Sequence, residues 1–121
     1  MSLKHALGMV GQAIARKKLE AMGYVMVTEN FSVFLGEIDL IAMKDDVLLF
    51  VEVKYRTDLE LGQPAEALTK KKLLSFRRAA AAYLAEHNSR PYKELKFDAI
   101  CILALPGKEM VIDHLEDILG P

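Results

Sequence analysis

The alternation of apolar and polar positions divides the chain into a few elements. Residues 3–22 place Leu3, Leu7, Val10, Ile14 and Ala21 on one helical stripe, and Gly23 stands where a left-handed C-terminal cap is expected. Gly8 and Gly11 weaken this helix. Three strand patterns follow: "YVMVTENF" from Tyr24, "GEIDLIAM" from Gly36 and "VLLFVEVKYR" from Val47. The third is apolar almost without break through Val53, as a central strand covered on both faces requires. A second helix is expected from Pro64 to about His87, with Leu73, Phe76, Ala80 and Leu84 facing inward. After the breaker "NSRPY" comes a further strand, "KFDAICIL", and then "MVIDHLEDIL", which reads as a short strand or a terminal helix. This order predicts one α/β domain over residues 1–121, with helices packed on a sheet.

The pattern also puts acids where apolar surroundings are expected. In a strand, residues two apart share a face, so Glu37 pairs with Asp39 on one strand and Glu52 with Lys54 on the next. A tight turn centred between Asp45 and Asp46 sets Asp39 opposite Glu52 and Glu37 opposite Lys54. Like charges directly opposed destabilise a hairpin, and Ile38, Leu40, Val51 and Val53 hydrate them poorly. A hard divalent cation answers the conflict, because Mg²⁺ takes one or two carboxylates together with waters and phosphate oxygens. Lys54, beside Glu52, is placed to hold a water or to stabilise charge on an attacked phosphate. The plainer alternative is a solvated edge hairpin with Glu37 and Lys54 as an ordinary cross-strand ion pair. The apolar run from Val47 argues against it, since a central strand has no solvated face on which to carry Glu-x-Lys.

Composition sets bounds on this chemistry. The 121 residues are 52% hydrophobic, enough for one real core, and their formal charge of −1 excludes a polycation drawn to nucleic acid by bulk charge. A polyanion site must therefore be local. Cys101 is the single cysteine, so an internal disulfide and a cysteine zinc cluster are both excluded. The apolar stretches fall short of the ~20 residues of a membrane span, and the N-terminus lacks a signal-peptide pattern. A cytoplasmic protein without membrane contact is expected.

Asp39, a 13-residue step, and then "EVK" at Glu52 to Lys54 resemble the D…(D/E)xK signature of the PD-(D/E)xK nuclease superfamily, without its leading proline. The fuller string "GEIDLIA…FVEVK" is similar to the YraN-like bacterial proteins of predicted endonuclease fold, which in turn resemble Holliday junction resolvases. The likeness is densest over residues 36–56 and extends loosely over most of the chain. It implies a restriction endonuclease-like core, a mixed β-sheet flanked by helices. It also implies Asp39 and Glu52 as ligands for Mg²⁺ or Mn²⁺, the Val53 carbonyl as a further ligand, and Lys54 as the catalytic lysine. Relatives usually carry a glutamate after the second glycine of the first helix. Here Gln12 follows Gly11, and its amide can accept a hydrogen bond but brings no charge.

Other positions divide between solvated surface and substrate contact. Lys70, Lys71, Lys72, Arg77 and Arg78 mark the second helix, with 70/77 and 71/78 on shared faces that could meet phosphates. "ARKK" at residues 15–18 is read the same way. Tyr55 and Arg56 are further candidates for substrate contact or for strand-end packing, and Asp98 is either a group beside the site or, the favoured reading, a structural residue at a sheet margin. His5, His87 and His114 lack ligand spacing and are expected at the surface. Two functions remain: a Mg²⁺-dependent endonuclease for structured or branched DNA, favouring a homodimer for paired cuts, or a non-catalytic nucleic-acid-binding or assembly protein that keeps the nuclease fold.

Overall fold

The computed structural model describes residues 2–87 and 92–120, so residues 88–91 of the expected breaker lie outside the described residues. The elements run α1 (Leu3–Ala21), β1 (Val25–Val33), β2 (Gly36–Lys44), β3 (Val47–Arg56), a 3₁₀ turn (Pro64–Ala67), α2 (Lys70–Glu86), β4 (Glu94–Leu103) and β5 (Val111–Leu115). The sheet order is β1-β2-β3-β4-β5. Only β3 and β4 run parallel, because α2 crosses over between them, and the other neighbours are antiparallel. The result is a five-stranded mixed sheet flanked by two helices, consistent with a restriction endonuclease-like core.

Each helix seals one face of the sheet. On the α1 side, Ala15 and Leu19 pack with Leu40, Leu49, Val51 and Ile100. On the α2 side, Phe76, Ala79 and Tyr83 pack with Ile41, Leu48 and Phe50. Phe50 stacks on Phe97 and meets the Tyr83 edge, which locks α2 over the central strand. β3 is buried on both faces from Leu48 to Glu52, as its unbroken apolar run requires.

Four expectations change. The apolar stripe expected of α1 is buried only in part: Ile14 packs against the core, but Leu3 is 76% and Val10 46% exposed. The buried line runs along Gly11, Ala15 and Leu19, and it comes so close at its start that a Cβ on Gly11 would stand 2.6 Å from the Tyr55 Cβ. The second helix does not begin at Pro64. That proline opens a separate 3₁₀ turn closed by the Glu66 carboxylate on the Gln63 N–H, and α2 starts only after Thr69, whose hydroxyl accepts the Lys72 N–H at 3.2 Å. His114 is not a surface residue. Its Nε2 lies 2.8 Å from Oδ2 of the fully buried Asp98, whose Oδ1 accepts the Asp117 N–H, so Asp98 clamps β4 to β5 and the C-terminal turn. His87 likewise is half-buried and stacks on Tyr83. The end of α1, by contrast, is as expected: Gly23 has φ +98° and Tyr24 N–H reaches back to the Leu19 carbonyl, a Schellman cap.

Gly36 is where α2 meets β2, and a Cβ there would collide with the Ser75 carbonyl. Gly36→Ala should therefore destabilise by roughly 1–3 kcal/mol, the usual cost of overpacking. Gly8, mid-helix with nothing within 4 Å of a built Cβ, should behave oppositely, and Gly8→Ala should stabilise by roughly 0.5–1 kcal/mol. Urea unfolding of both variants checks the pair of signs.

Candidate functional site

The β2–β3 hairpin holds its expected register only part of the way. Lys44↔Val47 through Leu40↔Val51 pair as a turn centred between Asp45 and Asp46 demands, and Asp45 accepts the left-handed φ of +53° that the turn needs. Beyond Leu40 and Val51 the ladder stops. Two irregularities coincide there. Ile38 packs on the α2 side of the sheet and Leu40 on the α1 side, so strict alternation fails at Asp39. Opposite Asp39, between Glu29↔Leu40 and Phe31↔Ile38, Asn30 takes φ +55°. Asp39 is turned toward β3, where its Oδ2 accepts the Val53 N–H at 2.7 Å.

Asp39 and Glu52 thus meet across a splayed gap rather than as a ladder pair. In a strand the N–H and C=O of one residue point to the same neighbour, so the Val53 carbonyl is directed into this gap as well. Lys54 Nζ lies 3.1 Å from Glu52 Oε1, with the two side chains only 13% and 8% exposed. The Glu37–Lys54 ion pair of the plainer alternative is absent, because Lys54 pairs with Glu52 on its own strand face and Glu37 is exposed.

A cleft of about 620 Å³ opens over these groups, walled by β2, β3, the start of α1 and the loop that follows β3. Glu37, Asp39, Glu52, Val53, Lys54 and Arg56 all line it. Gln12 does not: α1 contributes Leu3, Leu7 and Gly8, and Gln12 lies half-buried one turn beyond Gly8. Lys70, Lys71, Arg77 and Arg78 are exposed on α2, outside the cleft. The lysine that does reach the cleft is Lys72. Its neighbours in the "KKK" run obscure it, yet it stands four residues before the inward Phe76 and so shares that stripe. The Arg56 side chain is weakly held: its Nε is buried with no hydrogen-bond partner among the described residues, while its Nη1 donates to the Tyr55 carbonyl at 3.4 Å.

Burial raises the pKa of both acids. Asp39 is pushed up by desolvation and held back by the Val53 N–H and the Lys54 charge. Glu52 is pushed from 4.5 to about 7 by burial and then by Asp39, against Lys54 and Lys72. Each carboxylate keeps an oxygen free of the contacts just named, Asp39 Oδ1 and Glu52 Oε2. Two hard oxygen donors with excess negative charge and a carbonyl aimed between them fit Mg²⁺ or Mn²⁺ better than a softer metal. Among the described residues no cluster of three or more His, Cys, Asp or Glu gathers around a metal position, so any such cation would draw its remaining ligands from water or substrate.

The sequence comparisons carry no named activity. The family described as "Uncharacterised protein family UPF0102" matches residues 11–102. A "UPF0102 protein" of Beutenbergia cavernae is 38% identical over 118 residues, covering 98% of this chain and 99% of that protein. Another from Nocardia farcinica is 41% identical over 115 residues, covering 95% and 90%. "UPF0102 protein CT2262" of Chlorobaculum tepidum is 40% identical over 116 residues, covering 96% and 89%.

The raised acid pKa has a signed consequence for metal-free stability. Between pH 4.5 and about 7 the folded protein holds a Glu52 proton that the unfolded chain releases. This contribution is full below pH 4.5 and is lost as pH rises to about 7, with a slope of up to about 1.4 kcal/mol per pH unit. Urea unfolding in EDTA across this range should show the decline, and Glu52→Gln should flatten it.

Proposed function

The chain belongs to the UPF0102 family, and from the geometry of its cleft we propose that it is a Mg²⁺- or Mn²⁺-dependent endonuclease that hydrolyses phosphodiester bonds in structured DNA. The observation that carries this reading is the convergence, in one cleft, of two partly buried carboxylates, the Val53 carbonyl and Lys54, with Lys72 and Arg56 at its walls. An ordinary solvated hairpin gives no reason to bury Glu52 at 6% exposure beside Asp39.

In this reading Asp39 and Glu52 hold the cation, which when bound supplies Lewis-acid charge at a phosphate oxygen. The chain's own side chains do the rest. Lys54 spends one N–H on Glu52 and has donors left for the attacking water or for the oxygen charge that builds as the phosphorus–oxygen bond breaks. Lys72, on the α2 wall, meets the phosphate as a point charge. Arg56 lines the same cleft, where its guanidinium is a further donor for a phosphate oxygen. No helix among the described residues is long and apolar enough to cross a membrane.

Two measurements test the proposal. Titration with Mg²⁺ or Mn²⁺ should raise the melting temperature of the parent and of Lys54→Ala. It should leave Asp39→Asn unmoved, while Asp39→Asn melts higher than the parent in EDTA because one of two repelling charges is gone. Equal metal stabilisation in Asp39→Asn and parent would remove Asp39 from the ligand set. With four-way, flap, duplex and single-stranded DNAs as substrates, Lys54→Ala should lose cleavage. Lys72→Met should lower it far more than Lys71→Met, whose side chain lies outside the cleft. Equal losses for the two lysine variants would make the effect a matter of general charge rather than of this cleft.

A further inference from the structure

The connection between β1 and β2 is chemically out of character. Two-residue hairpin turns are usually built from Asn, Asp and Gly, whose backbones and short polar side chains suit the bend. Here the turn is Phe34-Leu35, and the two residues are 99% and 54% exposed. Among the described residues the α2-side core takes Phe31 and Val33 from the same hairpin and leaves the Phe34 ring outside.

Its position gives it a use. A recess of about 260 Å³ runs from Phe34 past Gly36 and Ser75 to Glu37, Glu52 and Lys72. The last three also line the larger cleft, so the recess is a side branch of the candidate catalytic cleft. The hairpin is firmly based, because Gly36 seats against the Ser75 backbone of α2. An exposed aromatic ring therefore stands on a rigid support at the mouth of a channel leading to a lysine and the paired acids. That combination of stacking platform and phosphate-binding cation is what single-stranded nucleic acid requires. A duplex, whose bases are already stacked on each other, offers no free base face to such a ring.

We propose that Phe34 stacks on an unpaired nucleobase of the substrate, so that the preferred DNA carries an unstacked nucleotide beside its scissile phosphate, as at a flap or branch point. The assignment rests on the nucleic-acid reading of the cleft and extends it to substrate class. Phe34 acts as a specificity residue, with the chemistry left to the cleft.

The test uses the full chain with a DNA duplex bearing a single-stranded flap with 2-aminopurine at the junction, and the same duplex without the flap, in Ca²⁺. Phe34→Ala should weaken flap binding by roughly 5- to 150-fold, the range for loss of one base–aromatic stack, with duplex affinity and melting temperature unchanged. Phe34→Trp should restore flap binding, with its indole emission quenched by the flap. Three results would overturn the assignment: flap binding by Phe34→Ala equal to the parent, equal losses on flap and duplex, or conversion of a dimer to a monomer in sedimentation at unchanged flap affinity. The last would make the Phe34 patch a self-association surface. A parent that binds no DNA removes this proposal and the nuclease reading together, whereas Phe34-dependent flap binding without any cleavage in Mg²⁺ removes only catalysis.

Discussion

The parting of β2 from β3 beyond Leu40 and Val51 is the constraint on which the candidate site depends. A continued ladder would set Asp39 against Glu52 at strand spacing and consume the Val53 N–H and carbonyl in backbone pairing. Ending it there turns the Asp39 carboxylate into a substitute ladder partner for the Val53 N–H and leaves the space between the strands open. The two acids remain in poorly hydrated surroundings with Lys54 and Lys72 as partial compensation, and their pKa values rise accordingly. A cation between them would relieve the desolvation and the repulsion together.

Keeping that gap open takes support from both faces of the sheet. On one side α1 comes close enough through Gly11 to lie on Tyr55, two residues past Val53, and its first two turns then wall the cleft with Leu3, Leu7 and Gly8. On the other, α2 is seated by Gly36 against Ser75 and fixed by Phe76 in the core, which leaves Lys72 one turn before Phe76 directed at the acids. The two glycines thus transmit core packing into the placement of charged groups.

How far this was legible in the sequence depends on which force decided each feature. The sheet, its central strand and the hairpin register follow from apolar patterning and from the aspartates at the turn, and these appear in the structure with the same pairing up to Leu40. The break at Asp39 was not legible, because "GEIDLIA" reads as plain alternation until Leu40-Ile41. Its backbone counterpart, the left-handed Asn30, looks like any polar strand residue. The helix start was misplaced because Pro64 fits a first turn equally well in a 3₁₀ or an α-helix, while Thr69, the residue that caps α2, carries no distinctive pattern of its own. The buried line of α1 is displaced from the expected stripe because the helix comes closest to β3 at Gly11, a residue that an apolar pattern does not count. Lys72 was hidden among identical neighbours, although the helical period from Phe76 identifies it.

The charge balance of the cleft explains why a protein of net charge −1 could still handle a polyanion. Of the residues lining it, Glu37, Asp39, Glu52 and Asp58 are acidic and Lys54, Arg56 and Lys72 basic, which leaves a formal −1 in the cleft when all are ionised. Such a cleft repels phosphate. One divalent cation reverses the sign to +1, so on the proposed reading metal and phosphate must bind with positive coupling, each raising the affinity for the other by the same factor. The exposed cations of α2 lie outside the cleft and cannot substitute for this reversal, since fields between solvated charges are screened within about 8 Å at physiological salt. Engagement with the backbone is then conditional on the loaded site rather than on bulk attraction. The discrimination that a weakly charged protein lacks at long range is left to short-range groups around the cleft.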